Sequence, residues 1–99
     1  MKHFLIDIEY SAPIEIIDMI VGEHRAFLQT GYDKGWLLMS GPKKSKTGGI
    51  VIARASSMQD IQEFFFHDPY QQHKVATYRF VEFDPVKRQP ILEDWASVQ

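Results

Sequence analysis

The sequence predicts an α+β protein of ferredoxin-like βαββαβ order, a four-stranded antiparallel sheet with two helices on one face. Three observations carry this. Residues 3–10 alternate with a period of two; residues 14–33 carry apolar side chains at spacings of three and four; and two strand-like runs, 50–55 and 75–83, flank a second, shorter helical stretch.

In the first strand, His3 to Tyr10, the residues Phe4, Ile6, Ile8 and Tyr10 point one way and Leu5, Asp7 and Glu9 the other. Ser11-Ala12-Pro13 starts the first helix, with Pro13 suited to the first turn and Glu15 favourable at its positive end. Ile14, Ile17, Val21, His24, Leu28 and Gly31 then mark an inward stripe to about Asp33, and Gly35 suits the left-handed residue that ends it. Gly22, inside this helix, costs about 1 kcal/mol against alanine; a close packing contact is one explanation for it.

Trp36 to Ser40 forms a short second strand closed by Gly41-Pro42. After a polar loop, Lys43 to Thr47, the pair Gly48-Gly49 leads into a β-branched third strand, Ile50 to Ala55. Ser57-Met58-Gln59-Asp60 resembles a capping box, with Asp in place of the usual Glu or Gln. The helix it opens buries Ile61, Phe64 and Phe65 and stops by Asp68-Pro69, because the residue before proline avoids helical geometry. Tyr70 to Lys74 make a turn or short helical piece, and Val75 to Phe83 the fourth strand. Residues 1–85 thus form one domain. Residues 86–99 form a tail whose Ile91, Leu92 and Trp95 are apolar enough to pack on that domain or on a partner.

Composition narrows the function classes. The 99 residues are 44% hydrophobic and 24% charged, which argues against disorder. A net charge of −2, and no basic run beyond Lys43-Lys44-Ser45-Lys46, disfavours nucleic acid as a partner. RNA-recognition domains of this strand order carry stacking aromatics on the central strands. Here the third strand has none and the first has only Phe4 in its middle. The absence of cysteine excludes disulfides, thiolate catalysis and Cys-type zinc sites. The N-terminal apolar run breaks at Asp7 and no stretch approaches a membrane span, so the expectation is a cytoplasmic protein with no membrane partner. Thirteen aromatics (Phe 7, Tyr 4, Trp 2) exceed what one small core absorbs, and both sheet faces offer apolar residues. A homodimer is therefore expected.

His24 and Asp68 are the candidate chemical groups. His24 shares the arc of Ile17, Val21 and Leu28 and so faces inward, where an imidazole needs a hydrogen-bond partner. A backbone carbonyl satisfies that need without any catalytic role, and Asp68 beside Pro69 is equally a turn former that bonds its own backbone. Alternatively, the end of the second helix approaches the middle of the first. Asp68 then fixes the tautomer of His24, and the pair performs general acid or base chemistry on a small organic ligand. Ser40, Gly41, Pro42 and Tyr70 are the pocket candidates. Arg25 reads as pointing elsewhere on the helix. His67, Asp68 and His73 do not converge as metal ligands, so neither a metal nor a cofactor is expected. The lysine-rich loop with Gly48-Gly49 lacks a following helix and reads as a solvated hairpin rather than a phosphate cradle.

Taken together, His24-x2-Phe27-Leu28, Gly35, Ser40-Gly41-Pro42 and Asp68-Pro69-Tyr70 resemble the YciI-like (YCII-related) family over nearly the whole chain. The resemblance implies a dimeric α+β barrel with a His–Asp pair at the active site, falling on His24 and Asp68. One branch of the family is associated with dehydrochlorination of a chlorinated hydroxyquinol. The chain departs from the family pattern at Val21, where an arginine is common, and at Gln71-Gln72-His73-Lys74, where a small, glycine-containing stretch is usual. The expectation is a cofactor-independent enzyme of lyase or hydrolase type using a His24–Asp68 dyad on a small organic molecule. The alternative is a non-catalytic small-molecule binding or sensor module, and a third reading is a purely structural dimer.

Overall fold

The computed structural model describes residues 1–97, so the last two residues of the tail lie outside the described residues. The elements are β1 (Lys2–Tyr10), α1 (Ile14–Asp33), β2 (Leu37–Pro42), β3 (Gly48–Ala55), α2 (Met58–Phe66), α3 (Pro69–Gln72) and β4 (Ala76–Phe83). A 3-10 turn at Pro90–Leu92 and α4 (Glu93–Ser97) follow in the tail. The strands form one antiparallel sheet in the order β2-β3-β1-β4, the ferredoxin-like arrangement.

Alternation in β1 sets the register of the whole sheet. Ile6 stands opposite Val51 and Phe80, and Ile8 opposite Gly49 and Tyr78, so one face gathers the core. Phe4, Ile6, Ala53, Ala55 and Ile61 are completely buried there, with Ile17 and Phe65 closing the helix side. Each large side chain of this set contributes roughly 1.5–3 kcal/mol by leaving water. The α1 seam is Ile17, Ile20, His24, Leu28 and Gly31. Ile20 thus takes an inward place, whereas Ile14 in the first turn is 41% exposed. Phe64 is half-buried instead of buried, its ring 4.6 Å from that of Phe27 and 5.9 Å from that of Trp36.

Strand limits differ from the sequence expectation for identifiable reasons. β2 begins at Leu37 and includes Gly41-Pro42, because it is an edge strand where a missing N–H is tolerated. A register shift between Leu37 and Met39 absorbs the extra residue. β3 begins at Gly48, where a Cβ would lie 1.9 Å from the Ile8 carbonyl oxygen; only glycine lets the strands meet. Val75 stays outside β4 because its N–H donates to the Tyr70 carbonyl while its own carbonyl accepts from Ser11. At the start of α2, Ser57 Oγ accepts from Asp60 N–H at 3.0 Å, one half of a capping box.

The other sheet face is only partly covered. Leu5, Ile50 and Ile52 are half-buried on it, and Met39, Val81 and Phe83 are exposed at 56, 37 and 41%. The tail folds over one end of this face. There the Trp95 carbonyl accepts from Arg54 Nη1 at 3.0 Å and from His3 Nε2 at 3.3 Å, and the Trp95 ring lies 5.1 Å from that of His3. Among the described residues, no helix is long and apolar enough to cross a membrane.

Gly22 has no packing reason, since a Cβ there would meet nothing within 4 Å. Gly22→Ala is therefore expected to stabilise the fold by about 1 kcal/mol, raising Tm by roughly 4–8 °C; a calorimetric scan of the two proteins checks this.

Candidate active site

The site is assembled by one aspartate. Asp68 sits between α2 and α3 with no solvent exposure, and it serves as N-cap of α3 by accepting from Tyr70 N–H at 3.1 Å. The turn-forming role and the pairing role thus fall on the same side chain. Its Oδ1 also lies 2.8 Å from His24 Nδ1, and its Oδ2 accepts from the Tyr78 hydroxyl at 2.6 Å. All three partners are donors, which suits the acceptor-only carboxylate and assigns the proton on His24 to Nδ1. His24 Nε2 is left uncommitted.

His24 is 9% exposed on the inward seam of α1 and lines an open cavity of about 290 Å³. Tyr70 lies flat on the imidazole, with ring centroids 4.0 Å apart and planes inclined by 13°, and Tyr10 meets Tyr70 edge-on at 5.7 Å. These stacks fix the imidazole plane that the Asp68 hydrogen bond alone would leave free to tilt. The cavity wall is largely apolar, from Ile8, Val21, Leu28, Pro42 and Val51. Its polar groups come from Tyr10, His24, Arg25, Ser40 and Tyr70.

The structure therefore brings Ser40, Gly41, Pro42 and Tyr70 to the same cavity as His24, with Asp68 directly behind the imidazole. The Ser40 hydroxyl lies 2.7 Å from that of Tyr32 and is already paired. A Cβ at Gly41 would meet nothing within 4 Å, so that glycine is not required by contacts within the chain. Arg25 is a correction to the sequence reading, since it lines the cavity. It stands about 100° round the helix from His24 but only about 40° from Val21, and its long side chain reaches the same opening. Tyr78 is the hydrogen-bonding neighbour of the pair that sequence reasoning missed. The signal was available: period two from Ala76 puts Tyr78 and Phe80 on the helix-bearing face. His67 and His73 do not join the cluster, and the described residues contain no group of three His, Cys, Asp or Glu able to hold a metal ion.

Electrostatics follow from this burial. Desolvation is the main force holding the Tyr78 proton on, and the Asp68 charge and its hydrogen bond act the same way, so the phenol ionises well above its ordinary value of 10. Burial likewise pushes Tyr70 up, helped by Tyr10 and Asp68, with the Arg25 charge pulling it down. The Tyr70 hydroxyl completes no hydrogen bond with a protein group, although the Tyr10 hydroxyl lies beside it. Just beyond α3, Lys74 adopts a left-handed backbone at φ 58°, a conformation suited to glycine.

This fold and site define a class: a ferredoxin-like α+β protein whose apolar cleft opens onto a buried histidine–aspartate pair. The chain belongs to the YCII-related family, whose domain model matches residues 1–84. No curated protein is similar to it by sequence. A similar solved structure is a 5-chloro-2-hydroxyhydroquinone dehydrochlorinase from Burkholderia phenoliruptrix in complex with 2,5-dihydroxybenzoquinone. The TM-score is 0.64 at 20% identity, over 88% of this chain and 92% of that one, a likeness of fold.

Tyr78→Phe leaves Asp68 Oδ2 buried without a donor, and is expected to cost about 1–3 kcal/mol in denaturant unfolding. The same variant tests a pH effect. Above pH 10, the ordinary tyrosine value, the unfolded chain loses the Tyr78 proton that the folded chain keeps, so stability falls as pH rises. The alkaline limb of stability against pH is expected to be shallower in Tyr78→Phe.

Proposed function

We propose that the chain is a cofactor-independent enzyme that uses His24 and Asp68 for acid–base chemistry on a small organic molecule. The observation that carries this reading is the buried 2.8 Å His24–Asp68 hydrogen bond at an apolar cavity, which leaves Nε2 of the imidazole free to take or give a proton. In this mechanism Asp68 holds the Nδ1–H tautomer and stabilises the imidazolium that forms when Nε2 accepts a proton. The apolar wall gives the reacting bond low-dielectric surroundings on one side. Ser40, Gly41, Pro42 and Tyr70 shape the pocket around the ligand.

The reaction in the similar structure's name, loss of hydrogen chloride, is the lyase chemistry such a site supports. A substrate proton passes to His24 Nε2, its electron pair forms the new π bond, and chloride departs with the carbon–chlorine pair. We propose a homodimer, because the incompletely covered sheet face carries Leu5, Ile52, Met39, Val81 and Phe83 as one apolar surface, and a cytoplasmic location for it. A second copy on that face covers them. The pocket opens on the opposite, helix-bearing side.

Incubation with 5-chloro-2-hydroxyhydroquinone is expected to release chloride, and His24→Ala to abolish release while the circular dichroism spectrum is retained. Full activity in that variant rejects the catalytic role, and a parent protein that binds the compound but returns it unchanged is a binding module instead. Ring ¹⁵N spectra are expected to show the Nδ1–H tautomer of His24 and to change in Asp68→Asn; unaltered ring signals reject the coupled pair. Sedimentation equilibrium is expected to give the dimer mass, and Val81→Glu to give a monomer with its fold intact.

A further inference from the structure

We propose that the cavity beside His24 takes a small organic monoanion, a single-ring carboxylate or phenolate, and that Arg25 holds its anionic oxygen. The proposal deepens the reading of this cavity as a ligand site and rests on it. Four observations converge.

Arg25 lines the cavity, is exposed, and makes no ion pair or hydrogen bond among the described residues. Its neighbours at three and four residues along α1 are Val21, Gly22, Leu28 and Gln29, so no carboxylate on its own helix face neutralises it. The cavity lining contains no acidic side chain, and Asp68 behind the imidazole has both oxygens engaged by donors. Among the described residues that line this opening, Arg25 alone carries a permanent charge, and the Asp68 charge lies behind the imidazole. An uncompensated guanidinium beside low-dielectric walls favours an anion, and its planar fork matches a carboxylate.

The third observation is Tyr70. Its side chain is 1% exposed and lines the cavity, yet its hydroxyl completes no hydrogen bond with a protein group. The Tyr10 hydroxyl beside it meets this need only in part, and a ligand oxygen would supply a well-formed acceptor. Arg25 and Tyr70 line the same cavity. Finally, about 290 Å³ between Ile8, Val21, Leu28 and Val51 is at the small end for ligand pockets, and accommodates one ring with its substituents.

The test is a set of matched pairs followed through amide chemical shifts: benzoate against benzamide, and 4-nitrophenolate against the neutral 4-nitrobenzyl alcohol. At least one anion is expected to bind about tenfold more tightly than its neutral counterpart, shifting the amides of Arg25 and Tyr70. Which pair shows the preference tells carboxylate from phenolate. Arg25→Gln is expected to reduce the preference to about twofold or less while leaving the neutral compound's affinity unchanged, and Arg25→Lys to restore part of it. The charge on this exposed residue supports no packing, so the variants stay folded; a retained amide spectrum verifies it. Equal binding of anion and neutral compound, a preference that survives Arg25→Gln, or no binding of either anion at about 10 mM overturns the proposal. The ring ¹⁵N test fails separately: an anion preference with uncoupled His24 leaves this site standing and removes only the acid–base reading.

Discussion

A carboxylate with no solvent exposure is the constraint on which the rest of this structure depends. Moving such a charge out of water costs several kcal/mol, and only good partners repay it. Asp68 finds them on three separate elements: His24 from α1, the Tyr70 amide from α3 and the Tyr78 hydroxyl from β4. Those three elements meet at a spot where apolar packing alone would leave their spacing loose. The four residues of α3 are far too few to form a helix by propensity, and its existence follows from the Asp68 cap together with burial of Tyr70. Stability and site geometry therefore use the same bonds.

That sharing accounts for the shape of the cleft. Fixing α3 by its cap lays Tyr70 against the imidazole, and the stacked ring leaves one edge of His24 for the cavity. The chain pairs a rigid polar end with an apolar wall drawn from β1, β3 and α1. The wall residues Ile8 and Val51 are also core residues, each 2% exposed. A ligand in the proposed site would meet surface held by the best-packed part of the molecule, with little freedom to shift.

How much of this was legible in the sequence follows from which physical signal each residue carries. Alternation in β1 and the three-and-four spacing in α1 are periodic signals, and both elements lie where they were expected. His24 faces inward for the same reason. Asp68 was readable as a turn former and as a partner, and it is both, because an Asx cap uses one oxygen and leaves the carboxylate capacity for more. β2 was less readable. Trp36-Leu37-Leu38-Met39 is apolar throughout, so it specifies no face, and the register shift after Leu37 depends on pairing with β3. Arg25 was misplaced because a wheel projection follows Cα directions, whereas a long side chain reaches well beyond its own arc. Gly48 looked like loop, since nothing local announces that the Ile8 carbonyl will occupy the space of its Cβ.

The sheet has two faces with different tasks, and β1 serves both. Its even-numbered residues, Phe4, Ile6 and Ile8, carry the core and one wall of the cleft. Its odd-numbered residues face the other way, where Asp7 lies 2.7 Å from Lys43 and 3.4 Å from Arg79, and where His3 receives the tail. The charges beside Asp7 hold its carboxyl below the usual range, Lys43 being the main cause, so that face carries a fixed ionic cluster next to Leu5 and Ile52. An apolar patch bordered by oriented charges is suited to a specific partner, because the charges penalise every docking register that leaves them unpaired. The proposed second copy would therefore be held in register by the odd-numbered side chains of the strand whose even-numbered ones shape the cleft. Packing on one face would then stiffen the strand that forms the wall on the other, which ties the proposed dimer to the cleft through β1.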